Sequence, residues 1–306
     1  VTLLMLPYLL VISKVTRNWV ANMTMIAVGF SFFTQSHFMG GFEPSWLEFT
    51  ILITVLVSGE LGRQKGHLSD WAHFVTLGLL VLSESVLFGD DPYIESMKNH
   101  PNIIEVKREA NEKAPPFGGS WHSDWSFQEN PPSATLLHSK IIPPIGGETL
   151  FLNTHKAYDD LSSSMKNKIN SLEVIHSAAR PYADDGFYAL EKDKDRSMKI
   201  KPSKKAKDIF LHPLVRTHPE TNRKSLFINP VYTIAIDGLD DDDSKLLLSE
   251  LFNHMEKETY IYKHLWDPNM LVMWDNRSVN HCAQGGYEGY KRLLHRITLA
   301  GERPFN

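Results

Sequence analysis

Residues 120–127, SWHSDWSF, set a histidine and an aspartate two positions apart inside a run of aromatics. Read as a buried β-strand, the stretch alternates its side chains between faces. His122 and Asp124 then point one way, Ser123 and Trp125 the other. Two metal-ligating side chains would sit side by side. The plain alternative is a His–Asp surface pair beside a turn, and for an isolated H-x-D that alternative is the better one. The rest of the chain has to change that balance.

The bulk numbers bound the problem. At 306 residues the chain can bury a full core as one large domain or two. Its 32 Lys+Arg against 36 Asp+Glu, with no long basic run, argue against a nucleic-acid partner. The single Cys282 excludes an internal disulfide and any multi-thiolate zinc or iron–sulfur site, and fits a reducing, cytoplasmic setting. A metal would have to be held by His, Asp and Glu.

Charge is unevenly distributed. Residues 1–60 carry only Lys14, Arg17, Glu43, Glu48 and Glu60, whereas the chain from residue 90 onward is an ordinary mixed globular sequence. Four apolar segments begin at Val1, Asn18, Phe49 and Trp71. A membrane span needs about 20 mostly apolar residues. Residues 18–42 lack Asp, Glu, Lys and Arg, but Asn, Gln, Ser, Thr and His interrupt them. Three readings of residues 1–85 stay open: membrane segments that bring the chain to a bilayer, an atypical N-terminal part of the same soluble domain, or a gene-model artefact, since the chain begins at Val1. A signal peptide is disfavoured because no basic stretch precedes the first apolar run.

Residues 86–306 are expected to form the functional domain. Residues 102–109 and 133–142 read as strands, the second closed by Pro143-Pro144 and Gly146-Gly147. Helices are expected over 157–172 and 241–258, the second with leucines and Phe252 at helical spacing. The run Asp240–Asp243 reads as capping that helix rather than as a cation site. Residues 212–230 read as a hairpin turning around 219–222, 269–286 as a strand entering a polar loop, and 290–301 as the last strand. Many short strands with few helices suggest a mostly β fold with flanking helices, a double-sheet barrel of the jelly-roll kind. No GxGxxG or GxxxxGK[ST] occurs, so nucleotide-cradling folds have no support.

Three further elements join the opening pair. GGET contains Thr149, WDNRSVNH ends on His281, and Arg292 follows eleven residues later with Arg296 beyond it in RLLHR. Here the chain resembles the taurine dioxygenase-like family of non-haem iron, 2-oxoglutarate-dependent oxygenases. That family carries W-H-x-D, a G-G-[DE]-T turn and W-D-N-R-x-x-x-H followed by R-x-x-x-R, in this order. The likeness of RTHPETNRKSLFIN and HRITLAGERPF to family segments adds to it. The resemblance implies a double-stranded β-helix (jelly-roll, cupin-like) barrel. It also implies Fe(II) held by His122, Asp124 and His281, with 2-oxoglutarate and O2 as co-substrates. It further implies that Arg292 and the Thr149 hydroxyl hold the distal carboxylate of 2-oxoglutarate. Arg296 would lie nearer the metal end of the co-substrate or a substrate anion.

The chemistry supports the same set. Two histidines and one carboxylate on one face of a metal leave three adjacent positions open, the facial triad of non-haem Fe(II) oxygenases. A 2-oxo acid fills two of them, leaving one for dioxygen, and its oxidative decarboxylation is coupled to oxidation of a C–H bond. The planar fork of Arg292 suits a carboxylate. On a strand Arg292 and Arg296 share a face. The reaction expected is hydroxylation of a small organic substrate, with sulfonate-like and other small acids among the fits, and release of succinate and CO2. Asp124 argues against a halogenating branch, in which a small residue makes room for halide.

Other residues read more plainly. His138, His155, His176, His212, His218, His254 and His295 are expected at the surface or hydrogen-bonded in the core. Cys282 is a small packed residue. Trp121, Trp125, Phe127 and Trp274 belong to the core or to a pocket wall, and residues 274–277 are expected to shape a loop presenting His281. A zinc hydrolase using the same triad is the competing enzyme class, but it has no need of Arg292 with Thr149. A membrane-associated, non-catalytic homologue is the competing non-enzyme. Family members acting on small sulfonates tend to carry asparagine four residues before the first metal histidine; Gly118 stands there, which puts taurine itself in doubt. Homo-oligomerisation stays open.

Overall fold

The computed structural model describes residues 88–89, 91–190 and 195–306. The readings offered for residues 1–85 lie outside them. The strands, in chain order, are β1 (Ile104–Arg108), β2 (Ala134–Ile141), β3 (Thr149–Asn153), β4 (Glu173–Ser177), β5 (Ile209–Pro213), β6 (Val215–Thr217), β7 (Lys224–Leu226), β8 (Thr233–Ile236), β9 (Ile261–His264), β10 (Leu271–Asp275), β11 (Val279–Ala283) and β12 (Arg292–Leu299). The helices are α1 (Thr154–Asp159), α2 (Ser163–Ile169), α3 (Ala179–Tyr182), α4 (Phe187–Leu190) and α5 (Asp241–Met255).

Two antiparallel sheets make the part of the jelly roll that carries the candidate residues. The larger has the order β1-β12-β2-β10 and the smaller β11-β3-β9. β12 alternates buried and half-buried residues along its whole length, so Arg292, Leu294, Arg296 and Thr298 share the inner face. Leu137, Trp266, Trp274 and Leu294 are buried together, and Phe151 of β3 and Val279 of β11 pack on them, which joins the two sheets over one apolar layer. The Phe151 and Trp274 rings lie 5.2 Å apart within it.

A second core cluster supports this layer from the side of α5. Leu247, Leu248, Leu251 and Met255 bury one face of that helix against Leu152, Val174, Leu214 and Ile236. Its start is fixed as the sequence suggests: the Asp240 side chain accepts from the amides of Asp242 and Asp243 at 3.1 and 2.9 Å, and three more aspartates follow.

Three local expectations are corrected. The stretch 120–127 is not a strand: only His122 makes a bridge, and the chain turns from Asp124 onward, with Trp125 at φ 47°. The single helix expected over 157–172 is two short ones. Ser162 interrupts it in an extended conformation and caps α2, accepting from the Met165 amide at 3.2 Å. His281 sits on β11 rather than in a loop, because the polar turn of WDNRSVNH ends earlier, at Ser278.

Candidate active site

The two histidines meet through the backbone. The His122 amide donates to the His281 carbonyl at 3.0 Å and the His281 amide donates to the His122 carbonyl at 2.7 Å. Their rings lie 4.1 Å apart between centroids. The turn after His122 brings Asp124 under both: its Oδ1 is 3.7 Å from His122 Nε2 and its Oδ2 is 4.0 Å from His281 Nε2. One ligand atom from each of the three lies within 4.8 Å of the others, and all three residues are buried.

The donor set fits a divalent metal. His122 Nδ1 lies 2.7 Å from the Ser120 carbonyl, which can only accept, so the proton sits there and Nε2 presents its lone pair to the centre. Burial pushes His281 down to about 3, with His122 as the next cause, so its imidazole is neutral at ordinary pH. Burial lowers His122 in the same way. Burial would raise Asp124, but Arg296, both histidines and the Thr135 hydroxyl outweigh it and hold the carboxyl at about 2. Two neutral imidazoles and one carboxylate are the ligand forms a hard-to-intermediate divalent ion needs.

A chain of hydrogen bonds aims the carboxylate. Thr135 Oγ1 donates to Asp124 Oδ2 at 2.7 Å, Asn276 Nδ2 donates to Thr135 Oγ1 at 2.8 Å, and Trp274 Nε1 donates to Asn276 Oδ1 at 3.0 Å. The Asn276 carbonyl in turn accepts from Ser123 Oγ at 2.7 Å. The neighbouring Asp275 takes the Arg277 guanidinium at two points, 2.9 and 2.7 Å, and lies 2.9 Å from His218 Nε2. The β6–β7 hairpin is thereby pinned to the turn that leads into β11.

Arg296 is taken by two carboxylates. Its NH1 lies 3.2 Å from Asp124 Oδ1 and its NH2 2.6 Å from Asp91 Oδ1, while its guanidinium carbon sits 4.8 Å over the Trp125 ring. Trp125 Nε1 also donates to Asp91. The two carboxylates raise the Arg296 pKa against the opposing effect of burial, which is the largest influence on it. Arg292 lies two repeats of the alternation away on the same face. It donates to the Gly147 carbonyl at 3.1 Å, and its Nε is buried without an acceptor. Thr149, on β3 and two residues from the Phe151 that pairs with His281, accepts from Trp266 Nε1 at 3.0 Å, leaving its own proton to donate.

A family model described as "Taurine catabolism dioxygenase TauD, TfdA family" matches residues 78–298. The chain belongs to the TauD/TfdA family. It is 34% identical over 219 residues to the alkylsulfatase of Acinetobacter baylyi, covering 71% of this chain and 67% of that protein. It is 35% identical over 217 residues to the alpha-ketoglutarate-dependent sulfonate dioxygenase of Saccharomyces cerevisiae, covering 70% of this chain and 50% of that one. The crystal structure of a taurine dioxygenase from Burkholderia xenovorans superposes with a TM-score of 0.56 at 26% identity, over 70% of this chain and 69% of that chain. The chain thus spans half to two thirds of the length of these curated relatives.

Within this TauD/TfdA chain, Gly118 has a local reason. It adopts φ +76°, its carbonyl accepts from the Ala283 amide at 2.9 Å, and a Cβ there would stand 3.3 Å from His122 Cε1. Cys282 is buried and its thiol is pushed up to about 11 by that burial, so it packs rather than attacks. Asp91, Thr135 and Trp266 were not legible as site residues. Each meets its partner only in the folded chain, and the one local hint was the position of Thr135 in the inward alternation of β2. Among the described residues no helix is long and apolar enough to cross a membrane.

Proposed function

We propose that residues 86–306 form an Fe(II)- and 2-oxoglutarate-dependent dioxygenase domain that hydroxylates a small anionic organic molecule, with succinate and CO2 as co-products. The observation that carries this is the buried His122/Asp124/His281 cluster, with Arg296 against Asp124, Arg292 on the same face of β12 as Arg296, and buried Thr149 two residues from the Gly147 carbonyl that Arg292 holds. His122, Asp124 and His281 would hold the iron, and the bound ion with 2-oxoglutarate and O2 supplies the oxidising power for a C–H bond.

The chain's own residues supply aim and dryness. Arg292 and the Thr149 hydroxyl hold the distal carboxylate of the co-substrate, the first by its planar fork and the second by the proton left free when Trp266 occupies its lone pair. Arg296 keeps Asp124 ionised and oriented; with both ends of its guanidinium taken, it acts at the metal carboxylate. Phe151 and Trp274 pack their rings beside His281, and Trp125 lies under the Arg296 guanidinium, aromatic surface that keeps water from the site. The sulfate ester and sulfonate chemistry named for the relatives makes alkyl sulfonates and alkyl sulfates the first substrates to try. The single cysteine suits the cytoplasm as the expected compartment.

Anaerobic titration of the protein with Fe(II) and 2-oxoglutarate tests this reading. A weak visible charge-transfer band is expected, together with succinate release when air and a sulfonate or sulfate ester are supplied. Persistence of the band in both His122→Ala and Arg292→Ala would refute the assignment.

A further inference from the structure

Two guanidinium groups share one aromatic ring at the far end of the inner face. Arg108 of β1 and Arg292 of β12 are direct partners across the ladder, so their side chains leave the sheet on the same side. The guanidinium carbon of Arg108 lies 5.2 Å and that of Arg292 5.8 Å from the centroid of the Tyr287 ring. Both arginines are buried, at 6% and 5% exposure. Tyr287 is buried too, at 3%.

Like charges placed opposite each other on a sheet repel, and a buried cation without an anion is costly. Among the described residues neither arginine forms a salt bridge. Arg108 donates to the Glu112 carbonyl at 3.0 Å, Arg292 to the Gly147 carbonyl at 3.1 Å, and the Nε of each is buried with no acceptor. The carboxylate of Glu112 is turned to Ser197, accepting from its hydroxyl at 2.6 Å and its amide at 3.0 Å. The Tyr287 ring, within cation–π range of both, offsets part of the repulsion. The arrangement becomes favourable once an anion with several acceptor oxygens lies against it.

We propose that Arg108 is a positioning residue of the co-substrate site, holding Tyr287, and through it Arg292, in the pose that takes the distal carboxylate of a dicarboxylic 2-oxo acid. This rests on the function proposed above and adds to it a second arginine and a reason for preferring dicarboxylic over monocarboxylic 2-oxo acids. The side chain of Arg108 need not touch the co-substrate. Its charge and its contact with the ring are what act.

Calorimetry of the Mn(II)-loaded full chain under anaerobic conditions tests the inference, with 2-oxoglutarate and 2-oxobutyrate as the two probes. The second lacks the distal carboxylate. Arg108→Gln is expected to weaken 2-oxoglutarate about tenfold, the loss of one charge-supported contact, while 2-oxobutyrate and Mn(II) bind as in the unaltered protein. Equal losses for both acids, or no loss for 2-oxoglutarate, would overturn it. Should Arg108→Gln fail to fold, Tyr287→Phe and Tyr287→Leu decide instead. Retention of the preference in the first and its loss in the second supports the inference, and identical behaviour sinks it. An unaltered protein that binds neither acid overturns the proposed function and this inference together; normal binding with an unresponsive Arg108 variant overturns the inference alone.

Discussion

His122 and His281 are held opposite each other by two backbone hydrogen bonds of 3.0 and 2.7 Å, on segments 159 positions apart in the chain, and neither imidazole takes part in the bridge. The fold places the ligands, and the ligands are not needed to make the fold. His122→Ala is therefore expected to keep the far-UV circular dichroism of the unaltered protein and to lose Co(II) binding, read from the visible d–d bands. Wild-type Co(II) affinity in that variant would remove His122 from the ligand set.

Asp124 is oriented by groups outside the proposed metal triad. Thr135→Val keeps the side-chain shape but removes the 2.7 Å donor to Oδ2, and Asn276→Ala removes the group that orients Thr135. Each change should weaken metal binding about 10–100-fold, as loss of an orienting partner usually does. Competition with a chromophoric chelator measures it, and unchanged affinity in both would show the chain Trp274–Asn276–Thr135 to be packing alone.

Trp266 holds the Thr149 hydroxyl by a 3.0 Å hydrogen bond. Trp266→Phe keeps the ring and drops the donor, so the hydroxyl can turn away from the co-substrate. A rise in KM for 2-oxoglutarate of about fivefold, with kcat little changed, is the expected result for the loss of one neutral hydrogen bond. A fall in kcat at unchanged KM would place Trp266 elsewhere in the mechanism.

Acid should destabilise the domain through histidines away from the metal. His212 is buried, its Nε2 lies 2.9 Å from the Gln128 carbonyl, and burial holds its pKa down at about 4. His176 packs edge-on against it at 5.3 Å and is also held well below its usual value by burial. The folded state refuses protons that the unfolded chain accepts near 6.5. Stability is thus full above that pH and is lost as pH falls toward 4, by up to about 1.4 kcal/mol per pH unit for each histidine. Urea midpoints at neutral and mildly acidic pH should converge in His212→Asn; an unchanged acid slope would exclude His212 as its source.

Gly118→Ala forces a side chain into a left-handed position beside His122 Cε1. Its cost should be about 1–2 kcal/mol from backbone strain alone. Thermal unfolding measures this, and a stability equal to the unaltered protein would mean that the turn relaxes freely.

Much of the candidate site could be read along the chain. The spacing of His122, Asp124, His281, Arg292 and Arg296 named a triad and two arginines, and the alternation of β12 put Arg292 and Arg296 on one face, because a strand's period of two is a local property. The acid-capped α5 was legible for the same reason, since a cap lies within one turn of the residues it serves. The stretch SWHSDWSF was misleading as a strand. Its aromatic content suits a buried sheet, but the bond between Trp125 and Asp91, and the stacking of Arg296 on the same indole, favour a turn that no local pattern announces.

The sequence by itself determined the kinds of side chain present, their order, and the strand periodicities that aim them inward. Tertiary structure alone decided that Asp124 is shared between two histidines, Thr135 and Arg296, that Arg296 is also taken by Asp91, and that Arg108 stands beside Arg292. Most of those contacts join residues far apart along the chain, which only the fold brings together. Their electrostatic consequences follow from burial, which no residue carries in its own identity.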